Sequence, residues 1–358
     1  MNLEEPTSVT CSADRDNQPR SIALEPSLNS SLKEQTPRLT FMRSPCLANL
    51  PPPPPGKSGW PWTVGCPRLP DTMPDGSHWP SFSIVTPSYN QGQFIEETIR
   101  SVLLQGYPNV DYTIIDGTSA DQSVEIIKKY EPWLTYWVSE PDRGQAHAIN
   151  KGLRHCSGAI RAYLNSDDIY LPNALEHVAL VYRAKKFDVF IGQEERIGLR
   201  LPAFQAWRRS HWKRYWRFTY QPFVFPYIPN ALRYELPQHS TFWSEKKSRG
   251  LSFNEDFHFA LDLEFFLRLF PGALVVHSTK KVAAIRLHPN SKSSTLWDSV
   301  HKPEYELLNN GLIAAAAKPK KCYRKIVTKF RLESLRAVIA RMFSEEDRVF
   351  EYYYPDYR

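Results

Sequence analysis

Phe82-Ser83-Ile84-Val85-Thr86 is a short β-rich run that stops at Pro87 and opens into the polar Ser88-Tyr89-Asn90. Phe94 to Leu104 follows with helical apolar spacing, and Tyr112 to Ile115 is again strand-like, ending at Asp116. Asp121 reads as the N-cap of a helix through Tyr130. Leu134 to Val138 predicts a third strand, Ala146 to Leu153 a third helix, and Ala159 to Leu164 a fourth strand running into Asn165-Ser166-Asp167-Asp168. Leu171 to Tyr182 is helical in pattern. Short strands alternating with helices at this spacing predict βαβ units, an α/β class and a mainly parallel sheet. Ligands of such sheets bind at the carboxyl ends of the strands. Ser88-Tyr89-Asn90, Asp116-Gly117 and Asp167-Asp168 all fall there.

Outward from this block the texture changes. Residues 1–80 read as a disordered tail, with the proline run Pro51 to Pro55 and little apolar periodicity. Trp60 and Trp62 are the candidates for pinning that tail to the body. Residues 81–295 read as the catalytic domain and 296–358 as a helical C-terminal segment. After about residue 192 the alternation fails. Gln238 to Trp243 predicts a strand, Leu261 to Phe270 a helix, and Ala273 to Val276 and Val282 to Arg286 two short strands.

Composition narrows the function classes. With 358 residues and 42% hydrophobic content the chain can bury a full core. Five isolated cysteines exclude a disulfide scaffold and a cysteine zinc site. No run approaches a membrane-spanning length, and acids in the first 20 residues argue against a secretory signal, so a cytoplasmic protein is expected. The net charge of +7 is concentrated in two stretches. Lys318 to Arg341 holds nine Lys/Arg against Glu333, and Arg196 to Arg217 holds seven with no acid. They are either solvated basic faces or surfaces for something anionic. With no recognition-helix, zinc-finger or RNP-type pattern, a nucleic-acid partner is not expected. From Arg324 to Phe343, Leu335, Val338, Ile339 and Met342 keep a helical stripe beside a basic face. That pattern fits either an anionic membrane surface, with the protein peripheral on its inner face, or packing on the protein's own sheet.

The acids carry the chemistry. Asp167 and Asp168 place two carboxylates together, and these repel unless a cation is present. Mg²⁺ or Mn²⁺ accepts one or two carboxylates plus substrate phosphates. The alternative is that Asp168 caps the helix near Leu171. Asp116 suits hydrogen bonds to a base or ribose, or an ordinary turn with Gly117. Asp262 lies on the apolar stripe of its helix, with Phe265, Phe266 and Leu269 at i+3, i+4 and i+7. It is either a cleft-facing base or a first-turn cap. Glu264 and Arg268 read as a surface ion pair. Arg286 and His288, before Pro289-Asn290-Ser291-Lys292, suit a diphosphate.

Ile84 to Asn90, Asp116 to Asp121, Gly144 to Gly152, Asn165 to Asp168 and Ala260 to Leu269 occur in an order and spacing that resembles the family 2 glycosyltransferases of the GT-A fold, over roughly residues 80 to 295. The resemblance implies a Rossmann-like sheet and an inverting transfer from a nucleotide-diphosphate sugar, UDP-sugar favoured, to a carbohydrate or lipid-linked acceptor. It implies that Pro87, Tyr89, Asn90 and Asp116 hold the nucleobase. Asp167 and Asp168 would contact ribose and the diphosphate-bound metal, and Asp262 would act as general base. Two departures stand out. Thr118 replaces a frequent Gly at little expected cost, and His147 replaces a frequent Asp, which puts contacts at that position in doubt. A sugar nucleotidyltransferase or a silent carbohydrate-binding protein are the other classes. The first would open with a Gly-rich basic loop, and the second would need neither Asp262 nor the acid pair.

Overall fold

The computed structural model describes residues 44–198, 237–289, 291–292, 303–304, 306–308 and 349–353. The stripe 324–343 and most of the basic stretch 196–217 lie outside the described residues.

The alternation expected between 82 and 170 is present. β1 (Phe82–Ser88), β2 (Val110–Asp116), β3 (Tyr136–Ser139) and β4 (Ile160–Tyr163) pair in parallel in the order β3-β2-β1-β4. α1 (Ile95–Leu103), α2 (Ser123–Tyr130) and α3 (Gln145–Leu153) are the crossovers. Beyond β4 the sheet is mixed. β5 (Ile169–Tyr170), α4 (Ala174–Lys185), β6 (Val189–Gly198), β7 (Thr241–Ser244), α5 (Glu245–Ser248) and α6 (Leu261–Leu269) precede a long β8 (Leu274–Leu287). β7 runs antiparallel to β4 and β6, while β6 and β8 are parallel. The two short strands expected near 273 and 282 are this one strand of 14 residues.

Period-two alternation explains why both faces of the sheet are covered. Ile84, Ala162, Phe190, Phe242 and Val276 face the core shared with α1, α2 and α4. Their neighbours Val85, Tyr163, Ile191, Trp243 and Val275 face the core shared with α3 and α6.

Two segment expectations need correction. Residues 44–80, read as part of a disordered tail, pack onto the first core through Leu50, Met73 and Trp79, with Trp62 also buried. Prolines hide this from periodicity, because the segment docks through single anchors rather than a regular face. Its backbone joins the α1–β2 connection through Ser44 N to Tyr107 O, Cys66 N to Leu104 O and Leu69 N to Gly106 O. At Gly106 (φ 65) a Cβ would sit 2.1 Å from Pro67 O, so that approach requires glycine. The tryptophan pin is present, with Trp60 Nε1 donating to Tyr170 O at 2.9 Å. The buried Arg100 guanidinium donates to the carbonyls of Pro51, Pro61 and Trp62 and to Tyr130 Oη. The second correction concerns the C-terminal segment, expected to be helical. Residues 349–353 form β9 (Val349–Tyr353), which pairs antiparallel with Leu274–Ser278 of β8.

Candidate active site

Register places the first two polar turns side by side, with Ser88 opposite Asp116. The buried β1 runs through Pro87 to Ser88, one residue past the expected stop, and Tyr89 stands 62% exposed beyond it. Asn90 takes a left-handed conformation (φ 54), which asparagine tolerates. Its N–H donates to Ser119 Oγ and its Oδ1 accepts from Ala120 N, each at 2.8 Å. Asp116 is fully buried, accepting from Ser119 N at 2.9 Å, from Ser119 Oγ, and from Ser139 Oγ at 2.7 Å. Its carboxylate thus fastens the turn that presents Tyr89, and no part of it is exposed to a base in this conformation. Asp121 Oδ2 accepts from Gly92 N and Oδ1 from Ser123 N, so it laces the two turns from one residue ahead of Gln122, which holds the N-cap position expected for Asp121. Thr118 also sits in the left-handed region (φ 62). For a β-branched residue that is strained, so this departure from glycine carries a conformational cost.

Asp167 and Asp168 lie between β4 and β5, well before α4 begins at Ala174. Asp168 therefore does not cap that helix. Thr98 of α1 donates to both Ser166 O (2.9 Å) and Asp168 O (2.7 Å), holding the loop from below. The end of β8 closes it from the side. Arg286 N donates to Asp168 Oδ1 at 3.0 Å, Arg286 Nε to Asp167 O at 3.0 Å, and His288 Nε2 meets Asp167 Oδ2 at 3.0 Å. Arg286 Nη2 is 3.0 Å from Glu97 Oε2, near enough for an ion pair but out of line for a hydrogen bond. The guanidinium also lies 5.1 Å over the Phe94 ring. Arg286 and His288 thus both converge on the acid pair.

Burial, then the neighbouring Asp167 charge, push the Asp168 carboxyl up to about 7. A buried carboxyl raised by a second acid beside it is a fit for a divalent cation. Among the described residues no group of three or more His, Cys, Asp or Glu makes a complete metal cage. The donor set instead matches ions held by one or two carboxylates with substrate phosphates completing the shell.

Asp262 is at the second position of α6, with Oδ1 accepting from Leu263 N at 2.7 Å. Phe265, Phe266 and Leu269 of its stripe are fully buried, as the spacing predicts. Glu264 and Arg268 form the expected i, i+4 pair at 2.7 Å. Burial first, then the carboxylates of Asp262 and Asp168, raise the Tyr163 phenol well above its ordinary value. Both acids therefore lie within electrostatic reach of the end of β4.

Sequence reasoning missed the groups that join these acids. Lys292 Nζ donates to Gln145 Oε1 (2.8 Å) and His258 O (3.2 Å). Desolvation lowers its pKa, while Glu304, Asp142, Asp167 and Asp262, all close enough to act, pull it back up. Gln145 Nε2 continues to Asn165 Oδ1 at 2.7 Å, and Asn165 Nδ2 reaches Gln238 Oε1 at 3.3 Å. Lys292 closes the motif quoted at 289–292, and this was the available signal. His147 does not join the cluster. It accepts from Arg143 N, and its pKa is lowered by desolvation and by Arg143.

Residues 83–234 match the family model described as glycosyl transferase family 2. An uncharacterized glycosyltransferase of Mycobacterium tuberculosis (strain ATCC 25618 / H37Rv) is 38% identical over 90 residues, 25% of this chain and 34% of that protein. The putative teichuronic acid biosynthesis glycosyltransferase TuaG of Bacillus subtilis (strain 168) is 36% identical over 104 residues, 28% of this chain and 41% of TuaG. The chain thus spans between 34% and 41% of the length of these curated relatives. Among solved structures, S. aureus TarS 1–349 in complex with UDP-GlcNAc superposes with a TM-score of 0.53 at 19% identity, covering 71% of each chain. That likeness speaks for the fold. The expected GT-A type α/β fold and the resemblance to family 2 glycosyltransferases are both borne out. Asp262, Arg286 and His288 lie beyond the matched residues.

Proposed function

We propose that the chain is an inverting glycosyltransferase that moves a sugar from a nucleotide-diphosphate sugar, UDP-sugar favoured, to an acceptor hydroxyl. The observation that carries this reading is the convergence of Arg286 and His288 on Asp167 and Asp168 after β4, with Asp262 in electrostatic reach of both Tyr163 and Lys292. Pro87, Tyr89 and Asn90 form the nucleoside end, with Asp116 shaping the turn beneath them. Asp262 takes the proton of the acceptor hydroxyl as its oxygen attacks the anomeric carbon. The new carbon–oxygen bond forms while the bond to the diphosphate breaks, and the electron pair leaves on the phosphate oxygen. Arg286, His288 and Lys292 favour the charge that develops there. Mn²⁺ or Mg²⁺ held by Asp167 and Asp168 would supply further neutralisation of the diphosphate.

The similarity to TuaG, named for teichuronic acid biosynthesis, supports a carbohydrate or lipid-linked acceptor in cell-surface polysaccharide or glycolipid synthesis. Among the described residues no helix is long and apolar enough to cross a membrane. A cytoplasmic protein, peripheral on the inner membrane face, rests on the basic stripe of 324–343. The test is release of free nucleoside diphosphate from a panel of UDP- and GDP-sugars, with Mn²⁺ and with EDTA. Release from one donor class with Mn²⁺, lost in EDTA, is the expected result. A panel with no turnover and no Mn²⁺-dependent thermal shift would overturn the reading.

A further inference from the structure

We infer that Glu304 is a positioning residue for Asp262, reaching the base's helix from a segment beyond the family match. The inference rests on the reading of Asp262 as the general base.

α6 starts poorly by its own means. Its N-cap is Ala260, which offers no side-chain acceptor to the open N–H groups of the first turn. Glu304 supplies the missing acceptor just upstream. Its Oε1 accepts from His258 N at 2.7 Å, and its Oε2 from Phe259 N at 2.9 Å and Ala260 N at 2.7 Å. Three consecutive amides on one carboxylate fix the path of the chain into the helix. Asp262 is two residues further on, so the direction of its side chain follows from that path. The same turn is gripped through its carbonyl side, where His258 O accepts from Lys292 Nζ. Leu308, one helical turn after Glu304, packs against the core formed with Ala260, Leu261 and Phe265 and anchors the segment. A carboxylate near a helix start also complements its dipole. A displacement of about 1 Å in a reacting group can cost about 100-fold in rate, so the grip on this turn matters to catalysis.

The experiment uses the full chain with Mn²⁺ and the panel donor that gives the fastest nucleoside diphosphate release. Glu304→Ala should lower kcat about 10- to 100-fold, while calorimetry with UDP and Mn²⁺ should give a Kd within about twofold of wild type. Glu304→Gln keeps one acceptor oxygen and should lose about 3- to 10-fold. In an Asp262→Asn background, Glu304→Ala should add less than about twofold, since the group it positions is gone. If Glu304→Ala does not fold, Glu304→Gln carries the same comparison. Wild-type turnover by the Glu304 variants would overturn the inference. So would a kcat loss that adds in full to that of Asp262→Asn, or a loss matched by weakened UDP binding. Wild-type turnover by Asp262→Asn alone would instead sink the assignment of the base.

Discussion

Arg100→Ala should loosen residues 44–80 from the body and lower global stability severely. The side chain is completely buried, and its fork supplies Pro61 O (3.0 Å), Pro51 O (2.8 Å), Trp62 O (2.9 Å) and Tyr130 Oη (3.1 Å). Removing it strands the three carbonyls, while Tyr130 Oη keeps its bond to Glu96 Oε1 at 2.9 Å. Each buried acceptor left unmade costs about 1–3 kcal/mol, and some regain water once the segment shifts. A total of about 4 kcal/mol is the expected loss, against the roughly 5–15 kcal/mol that holds a domain together. Arg100→Lys keeps the charge but replaces the fork with one nitrogen, so about 2 kcal/mol should go. Equilibrium urea unfolding followed by tryptophan emission reads the loss directly. Proteolysis should then cut between 44 and 80 in Arg100→Ala at concentrations that spare the wild type. A loss below about 1 kcal/mol with no new cleavage would refute the account of Arg100 as the fastener of this segment.

Thr118→Gly should raise stability by about 0.5–1 kcal/mol, relief of the left-handed strain outweighing the added unfolded-state entropy; a fall in Tm would contradict the strain. Asp167→Asn and Asp168→Asn should each remove Mn²⁺-dependent UDP binding in calorimetry while leaving circular dichroism unchanged, and full affinity in both would remove the pair from the metal site. In EDTA the raised Asp168 carboxyl means that the folded state holds a proton the unfolded state releases. Stability should therefore fall as pH rises from about 4 to about 7, and Asp168→Asn should flatten that slope in thermal unfolding; stability rising over this window would be the wrong sign. Sedimentation with anionic vesicles at low salt should capture the protein, and replacing Arg331, Arg336 and Arg341 by Glu should abolish capture, whereas equal binding by both proteins would discard the basic stripe as the contact.

The sequence was most legible where local pattern and tertiary role coincide. β1 to β4 are apolar runs ended by polar turns, and the acid pair after β4 is the one on which the end of β8 closes. β6 escaped notice because its second half, Gln193 to Gly198, is polar and half-exposed, which reads as loop. β8 reads as two strands because Lys280-Lys281 interrupts the apolar run; the strand is continuous, but its register with β6 shifts at this point, between the Ile191–His277 and Glu194–Ala283 pairs. Residues 44–80 defeat periodicity because tertiary anchors such as Leu50 and Trp79 are spaced by the surface they meet. Glu304 left no local trace, since only the folded chain brings it to the amides before Asp262. Thr118 was noticed as a departure, but its strain depends on a backbone angle that residue type does not reveal.

The pairing of β9 with Leu274–Ser278 has a consequence for the order of synthesis. A ribosome making about 5–20 residues per second needs roughly 4–14 s to travel from that part of β8 to β9. Through that interval the nascent sheet offers an open row of amides and carbonyls to any neighbouring chain. Lys280 and Lys281 stand directly after the uncovered stretch, where charge is best placed to discourage such pairing. A premature stop codon anywhere before Val349 would make that transient edge permanent, so nonsense products of this gene should be found in inclusion bodies even when every residue of the acid cluster has been translated.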